Sequence, residues 1–350
     1  MVPPSDPHDD APSAPAFSVF TPTFNRAHTL ARVRDSLRAQ TFRDFEWVIV
    51  DDGSEDGTRA LVAGWAAVAE FPIRYFWQPN AGKAAATNRG AQEARGELFL
   101  IADSDDAFVP HALERFWRHW RSIPPGARHR FSGVTALCCD ERGELIGDPF
   151  PREPLDGSWW DIHYKYAVRG EKWGFHLTSV FREFPFPVDL GRSHVPEIVA
   201  SSLAPEVVWR AMSRRYETRY VNEILRVYYR GADDQMTRLS PRVWARIRFW
   251  YAQRLYEDRE WLTVAPLVLL KLAIHYARFS FLSGDPVRAQ FASLRTTGLK
   301  LLWAAAAPVG LLLSLRDRAR ESRPSRGARR RSPRTSGEAC RPASRSRATS

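Results

Sequence analysis

Between Phe17 and Cys139 the chain alternates short β-prone runs with helix-period segments, and this alternation restricts its fold more than any other feature. The runs Phe17–Phe20, Glu46–Val50, Ile73–Trp77, Leu98–Ala102 and Phe131–Cys139 read as strands. Glu46–Val50 and Leu98–Ala102 are almost uninterrupted in apolar character, the mark of strands buried on both faces. Between them, Leu30–Ala39, Thr58–Ala69, Lys83–Arg95 and Pro110–Arg121 carry helical spacing, the last with Pro at its first helical position. Strands and helices joined by short connections predict an α/β fold, a mostly parallel sheet with helices on both faces. Ligands of such sheets bind beyond the carboxyl ends of the strands. Each of the first four strands is followed there by a polar cluster: Thr23-Phe24-Asn25-Arg26, Asp51-Asp52-Gly53-Ser54, Asn80-Ala81-Gly82-Lys83 and Asp103-Ser104-Asp105-Asp106. The topology alone sends all four to one crevice.

The acidic cluster after the fourth strand offers hard oxygen ligands, which suit Mg²⁺ or Mn²⁺ and, through the ion, a diphosphate. It is not a calcium loop, because Ala107 and Phe108 stand where an EF-hand needs Asp or Asn and then Gly. A helix cap uses one Asp, and three in four residues exceed that need. Asp51 and Asp52 stand at a strand end, where an acceptor can bond a base or a ribose, whereas Asp56-Gly57-Thr58 reads as a turn opening the next helix. Neither a P-loop pattern nor GxGxxG occurs, which argues against P-loop nucleotide hydrolases and dinucleotide dehydrogenases.

The ordered series Thr21-Pro22-Thr23-Phe24-Asn25-Arg26, Val50-Asp51-Asp52-Gly53-Ser54-Glu55-Asp56-Gly57-Thr58, Asn80-Ala81-Gly82-Lys83-Ala84-Ala85-Ala86-Thr87-Asn88 and Ala102-Asp103-Ser104-Asp105-Asp106 resembles the family-2 inverting glycosyltransferases of GT-A fold. A looser likeness runs on to Val221-Asn222-Glu223-Ile224-Leu225-Arg226-Val227-Tyr228-Tyr229. The resemblance implies a GT-A type, Rossmann-like sheet and a sugar transfer from a nucleotide diphosphate, a UDP-sugar, to an acceptor hydroxyl. It implies that Thr21, Pro22 and Thr23 line the base, and that Asp51 and Asp52 hold base or ribose. Asn25, Arg26, Gly82, Lys83 and Asn88 would border the sugar nucleotide. Asp103, Asp105 and Asp106 would bind ribose and the metal–diphosphate, through either Asp103 with Asp105 or Asp105 with Asp106. A general base then takes the acceptor proton during one displacement. The family places an acid for this at a helix start, and Glu206 after Pro205 and Glu197 after Pro196 are the two candidates, with Asp189 behind them.

From Glu153 to about Arg230 the chain is dense in aromatics and proline, which reads as loops and short helices closing over the crevice, with Trp173 set near the substrate. A helix is expected over Pro241–Leu262. Leu262–Leu282 is apolar except for Lys271, His275 and Arg278, spaced to share one helix face, as in a helix lying in a membrane interface. Leu301–Leu315 has no charge but is short of a span and contains Pro308 and Gly310, so a re-entrant or interfacial segment is expected. The formal charge of +11 is concentrated at the end: residues 316–350 hold twelve Arg against three acids, a net +9, leaving only +2 for the rest. The folded part is therefore no nucleic-acid binder, and the basic tail suits anionic lipid. Cys138, Cys139 and Cys340 show no disulfide or zinc spacing, as in a reducing cytoplasm.

These readings divide the chain into a disordered leader (1–16), a GT-A domain (17–230, with a nucleotide-sugar half to 110 and an acceptor half after it), a membrane-contacting helical region (231–315) and a disordered basic tail (316–350). The expected setting is the cytoplasmic face of a cell membrane, and the expected acceptor a glycan or lipid-linked sugar. The rival readings are transfer to polyprenyl phosphate and a non-catalytic binding protein of the same fold.

Overall fold

The computed structural model describes residues 14–188, 197–229 and 248–321, without the side chains of 197–204, 249 and 321. Its centre is a nine-stranded sheet. β1 (Phe17–Thr23), β2 (Phe45–Asp51), β3 (Ile73–Trp77) and β4 (Leu98–Ile101) form a parallel half in the order β3-β2-β1-β4. α1 (Ala31–Arg38), α2 (Thr58–Ala66) and α3 (Lys83–Glu93) connect them. β1 and β2 run further than the sequence suggests, so Thr21–Thr23 and Asp51 are strand, not loop. Side chains alternate across the sheet. Phe17, Val19, Trp47 and Leu100 face a core closed by α1 and α4 (Ala112–Ser122), whereas Phe20, Val48, Val50 and Phe99 face α3 on the other side. Pro110 lies ahead of α4, which is capped by His111; the expectation of a helix from Pro110 is corrected.

The second half of the sheet is built from β5 (Ala107–Phe108), β6 (Phe131–Asp140), β7 (Leu155–Gly157), β8 (Lys172–Leu177) and β9 (Glu217–Tyr228), continuing β4-β8-β6-β9-β5 with β7 on β9. β8 is antiparallel to β4 and β6, and β6 runs parallel to β9. The aromatic region is thus not only loops and short helices: it supplies β7, β8 and β9, because alternate residues such as Trp173 and Phe175 have a core to fill. α5 (Thr178–Glu183) and α6 (Glu197–Met212) cover this half. α6 contains Pro205 in its interior, so Glu206 does not stand at a helix start, contrary to expectation; Glu197 does.

The C-terminal part is helical: α7 (Arg248–Glu257), α8 (Pro266–Ser283), α9 (Val287–Ala292) and α10 (Thr297–Glu321). Of the helix expected over Pro241–Leu262, the described portion is α7 and one tight turn, Arg259–Trp261. α8 is a core helix, with Leu269, Leu272, Ala273, Tyr276 and Ala277 buried. Lys271 is exposed, but the other two residues of the expected basic stripe are used internally. Arg278 bonds both oxygens of Asp317 at 2.7 and 2.9 Å, and His275 lies against the rings of Tyr251 and Phe279. α10 continues through Pro308 and Gly310 without interruption, correcting the short segment read from sequence. A Cβ on Gly310 would fall 2.6 Å from Ala277 Cβ, so glycine is what lets α10 pack closely on α8. Among the described residues α10 is the one helix long and apolar enough to cross a membrane.

Candidate active site

The four polar clusters interlock. The amide of Asn25, at φ 54°, donates to Ser54 Oγ at 2.8 Å, and Asn25 Oδ1 accepts from the Glu55 amide at 2.9 Å. The turn after β1 is thereby fixed to the turn after β2. Asp51 accepts from the Ser54 amide at 2.7 Å and from the Tyr75 hydroxyl, closing its own turn. Asp52 accepts from Gln78 Nε2 at 2.6 Å and from the amides of Ala81 at 3.0 Å and Gly82 at 2.7 Å, so it binds the start of α3. Gly53 permits this approach: at φ 91° a side chain is strained, and its Cβ would meet the Asn80 nitrogen at 2.9 Å.

The first residue of α3 is Lys83, whose Nζ lies 2.6 Å from Asp103 Oδ1. Arg226, from β9, completes the chain with Nε 2.8 Å from Asp106 Oδ2 and Nη2 3.9 Å from Asp103 Oδ2. Asp52, Lys83 and the acidic turn therefore meet at one end of the sheet. Burial pushes the Asp103 carboxyl up, but Lys83 and Arg226 outweigh it and hold the group below its ordinary value. Burial pushes Asp106 up to about 7, against the pull of Arg226.

The three carboxylates now separate. Asp103 and Asp105 are half-buried and stand two residues apart, while Asp106 is buried between them and the sheet, tied to Arg226 and accepting the Asp103 amide at 3.2 Å. Asp106 is thus a poor metal ligand, which corrects one of the two alternatives. Asp103 and Asp105 remain as oxygen donors able to face a divalent cation. Other expectations shift as well. Thr21 is buried with its hydroxyl accepting Trp47 Nε1–H at 2.9 Å, so its side chain does not line a base. Thr23 Oγ1 is buried at the strand end with no hydrogen-bond partner among the described residues. Asp51 and Asp52 spend most of their lone pairs on the protein, and Asn88 binds both backbone groups of Phe186 at 2.7 and 2.8 Å. Pro22 follows the β1 register opposite Val50. Arg26 shapes its own turn, its carbonyl accepting from the amides of Thr29 and Leu30 at 3.0 Å.

Beside Lys83, Asp103 and Arg226 opens a cavity of about 350 Å³ between the sheet and α6. Pro205, Trp209 and Met212 line it from α6, and Trp159 from the turn before Asp161. Trp173 reaches it too, but chiefly as core: it stacks on Phe108 at 4.7 Å and donates Nε1–H to Ile101 O at 2.7 Å. Glu206 points elsewhere, about 100° round the helix from the cavity-facing stripe, with Oε1 2.7 Å from Arg254 of α7. Burial raises its pKa while Arg254 and Arg210 pull it down. Glu197 begins α6, and its side chain, like Asp189 as a whole, lies outside the described residues. Arg226 is the site residue that sequence reasoning missed as such; its signal is an arginine in a strand whose neighbours Val221 and Leu225 are core.

Sheet order and acidic turn define a GT-A type domain. Residues 18–137, about a third of the chain, match the Glycosyl transferase family 2 domain. Over 142 residues the chain is 38% identical to a cholesterol galactosyltransferase of Borreliella burgdorferi, covering 40% of this chain and 38% of that one. It is 35% identical over 144 residues to GalNAc(5)-diNAcBac-PP-undecaprenol beta-1,3-glucosyltransferase of Campylobacter jejuni, covering 41% and 44%. The chain thus spans less than half the length of these curated relatives. A crystal structure of S. aureus TarS, residues 1–349 in complex with UDP-GlcNAc, superposes with a TM-score of 0.55 at 17% identity, covering 87% of this chain and 91% of that one. That likeness is one of fold.

Proposed function

We propose that the protein transfers a sugar, with inversion, from a UDP-sugar to the hydroxyl of a glycan or lipid-linked acceptor at the cytoplasmic face of a membrane. The observation that carries this reading is the chain of contacts Asp52–Gly82, Lys83–Asp103, Arg226–Asp103/Asp106, which gathers acid and base groups at one end of the sheet, beside a cavity. UDP-GlcNAc in the TarS structure and the lipid acceptors named for the two relatives support the choice of substrates. The catalytic unit on this reading is residues 17–230.

Thr23, with its unsatisfied hydroxyl, and the Asn25 and Asp51–Ser54 turns border the nucleoside. Asp103 and Asp105 would hold a divalent cation, Mg²⁺ or Mn²⁺, which supplies neutralisation of charge on the departing diphosphate. Lys83 is placed to leave Asp103 for a donor phosphate, since it lies at the start of α3 where the helix dipole also favours an anion. Glu197, at the start of α6, takes the acceptor proton as the oxygen attacks the anomeric carbon and the nucleotide leaves, whereas Glu206 is held by Arg254 away from the cavity. Mn²⁺-dependent hydrolysis of a UDP-hexose panel, with thermal shift by UDP, tests the reading. The expected result is hydrolysis that D105A abolishes. No shift by any nucleotide sugar with Mn²⁺ would overturn it. E197Q should lower kcat at least a hundredfold and E206Q should not; full activity in E197Q favours a phosphate acceptor, which needs no base.

A further inference from the structure

The cavity continues well past the acidic turn. Phe99 of β4 stands opposite His176 of β8. Asp103 lies four residues further along, roughly 13 Å at about 3.3 Å per residue. Asp103 and His176 both line the cavity, so it is a slot running down the sheet face beneath α6. Trp159, Trp209, Phe181, Phe186 and Met212 give it an apolar wall, and polar residues such as Lys83, Asp103, Ser132 and His176 line the rest. At the inner end His176 Nδ1 lies 2.9 Å from Ser132 Oγ, which lies 3.0 Å from Thr218 Oγ1. The imidazole stacks on Trp209 at 4.9 Å and meets Phe181 edge-on at 5.6 Å, and those two rings touch each other at 5.7 Å. The polar groups there are thus largely satisfied by one another. The donor reading uses only the mouth of this slot, at Lys83 and Asp103, and a sugar alone does not need such depth.

We infer that the slot receives the apolar body of an amphipathic acceptor, whose reacting hydroxyl stays at the mouth beside Lys83 and Asp103. The inference rests on the transferase reading and narrows its acceptor to a molecule with an apolar anchor next to the hydroxyl-bearing head. A cavity of about 350 Å³ is at the small end of the range for small-molecule sites. Trp159 extends the apolar wall outward: it meets Trp160 at 5.3 Å, Trp160 stacks on Trp261 at 6.0 Å, and that cluster continues into Ala265, Leu269 and Leu302 of the helical part.

Tryptophan fluorescence of the full chain, titrated with octyl β-D-glucoside below its micelle concentration and separately with methyl β-D-glucoside, tests this in the presence of Mn²⁺ and UDP. The two probes share a head and differ only in the chain. Octyl glucoside is expected to bind at least tenfold more tightly. Trp209→Ala should weaken octyl binding at least fivefold with methyl glucoside unaffected. His176→Phe, which keeps the ring and removes its polar atoms, should strengthen it two- to fivefold. Equal affinity for the two probes, or octyl binding indifferent to both substitutions, overturns the inference. A UDP thermal shift on the same samples keeps the two ideas apart: a shift with no preference for the octyl chain sinks the slot alone, and no shift with that preference intact sinks the transferase reading alone.

Discussion

Asp103, Asp105 and Asp106 carry the same side chain and differ only in where the backbone points them. In sequence nothing separates them, and so both pairings stayed open. The structure separates them by burial, with Asp106 inside against Arg226 and Asp105 half-exposed. Asp105→Ala should leave stability within about 0.5 kcal/mol, as for other surface changes, yet remove Mn²⁺-dependent UDP-sugar hydrolysis. Asp106→Asn should instead cost roughly 2–3 kcal/mol by weakening a buried bond to a charged group, read by urea denaturation. Equal stability of the two variants would contradict this division. Arg226 was not legible as a partner because its contact is long-range and its strand motif looks like core. His176 gives a second residue-scale prediction. Burial depresses its pKa to about 4, while the unfolded chain keeps about 6.5. Below pH 6.5 the unfolded state takes up the proton first, so stability falls as the pH drops from about 6.5 to about 4. At about 1.4 kcal/mol per pKa unit the loss comes to roughly 3.5 kcal/mol. His176→Phe should remove that part of the acid sensitivity, measured as Tm against pH; an unchanged profile would show that other groups set it.

At the scale of elements, the first half of the sheet was readable because β1 to β4 and α1 to α3 each hold one period long enough to recognise. Ile73–Trp77 falls on its predicted bounds and the rest within a few residues. Of the second half, β6 at Phe131–Asp140 was readable, expected over Phe131–Cys139, but its neighbours were not, for a physical reason. β5 and β7 are two and three residues long, and β8 pairs antiparallel between two strands distant in sequence, so local pattern carries little of the information. α6 was misjudged because Pro usually opens a helix, whereas Pro205 sits inside this one. Its far face is fixed by Glu206–Arg254 and by Arg210, which pairs with Asp258 and lies 4.7 Å over the Trp160 ring. The wall of the cavity is thus fastened to α7. Helix contact also decides Gly310. Gly310→Leu would drive carbon into Ala277 and the Arg278 backbone, and overpacking of this kind costs about 1–3 kcal/mol. Thermal unfolding should show the loss, and full stability in the variant would mean that α8 and α10 do not cross as closely as described.

Among the described residues, α10 carries an apolar face that the folded chain does not cover. Along α10, Trp303, Ala306, Gly310, Ser314 and Asp317 face α8 and are buried, while Leu301 (68% exposed), Leu312 (67%) and Leu315 look outward, and Leu267 (70%) is open at the start of α8. Lys300, Arg316 and Arg320 flank the outward stripe. At 25 residues and about 1.5 Å per residue the helix could cross a bilayer. Crossing, however, would tear Trp303 from its core and Asp317 from Arg278. Lying in the interface keeps both and buries only the open leucines, with the arginines at the headgroups. An in-plane arrangement would meet lipid on the outer face of α10, which contains the expected interfacial segment Leu301–Leu315, rather than through the stripe expected on α8. Each exposed leucine moved from water to the interface contributes about 1 kcal/mol or more. The double change Leu301→Gln, Leu312→Gln should then weaken co-sedimentation of the full chain with anionic vesicles at least tenfold without lowering Tm. Raising salt should weaken wild-type binding further, since the flanking charges are screened. If the intact chain stays in the supernatant, or the double variant sediments as well as wild type, the outer face of α10 meets something other than lipid.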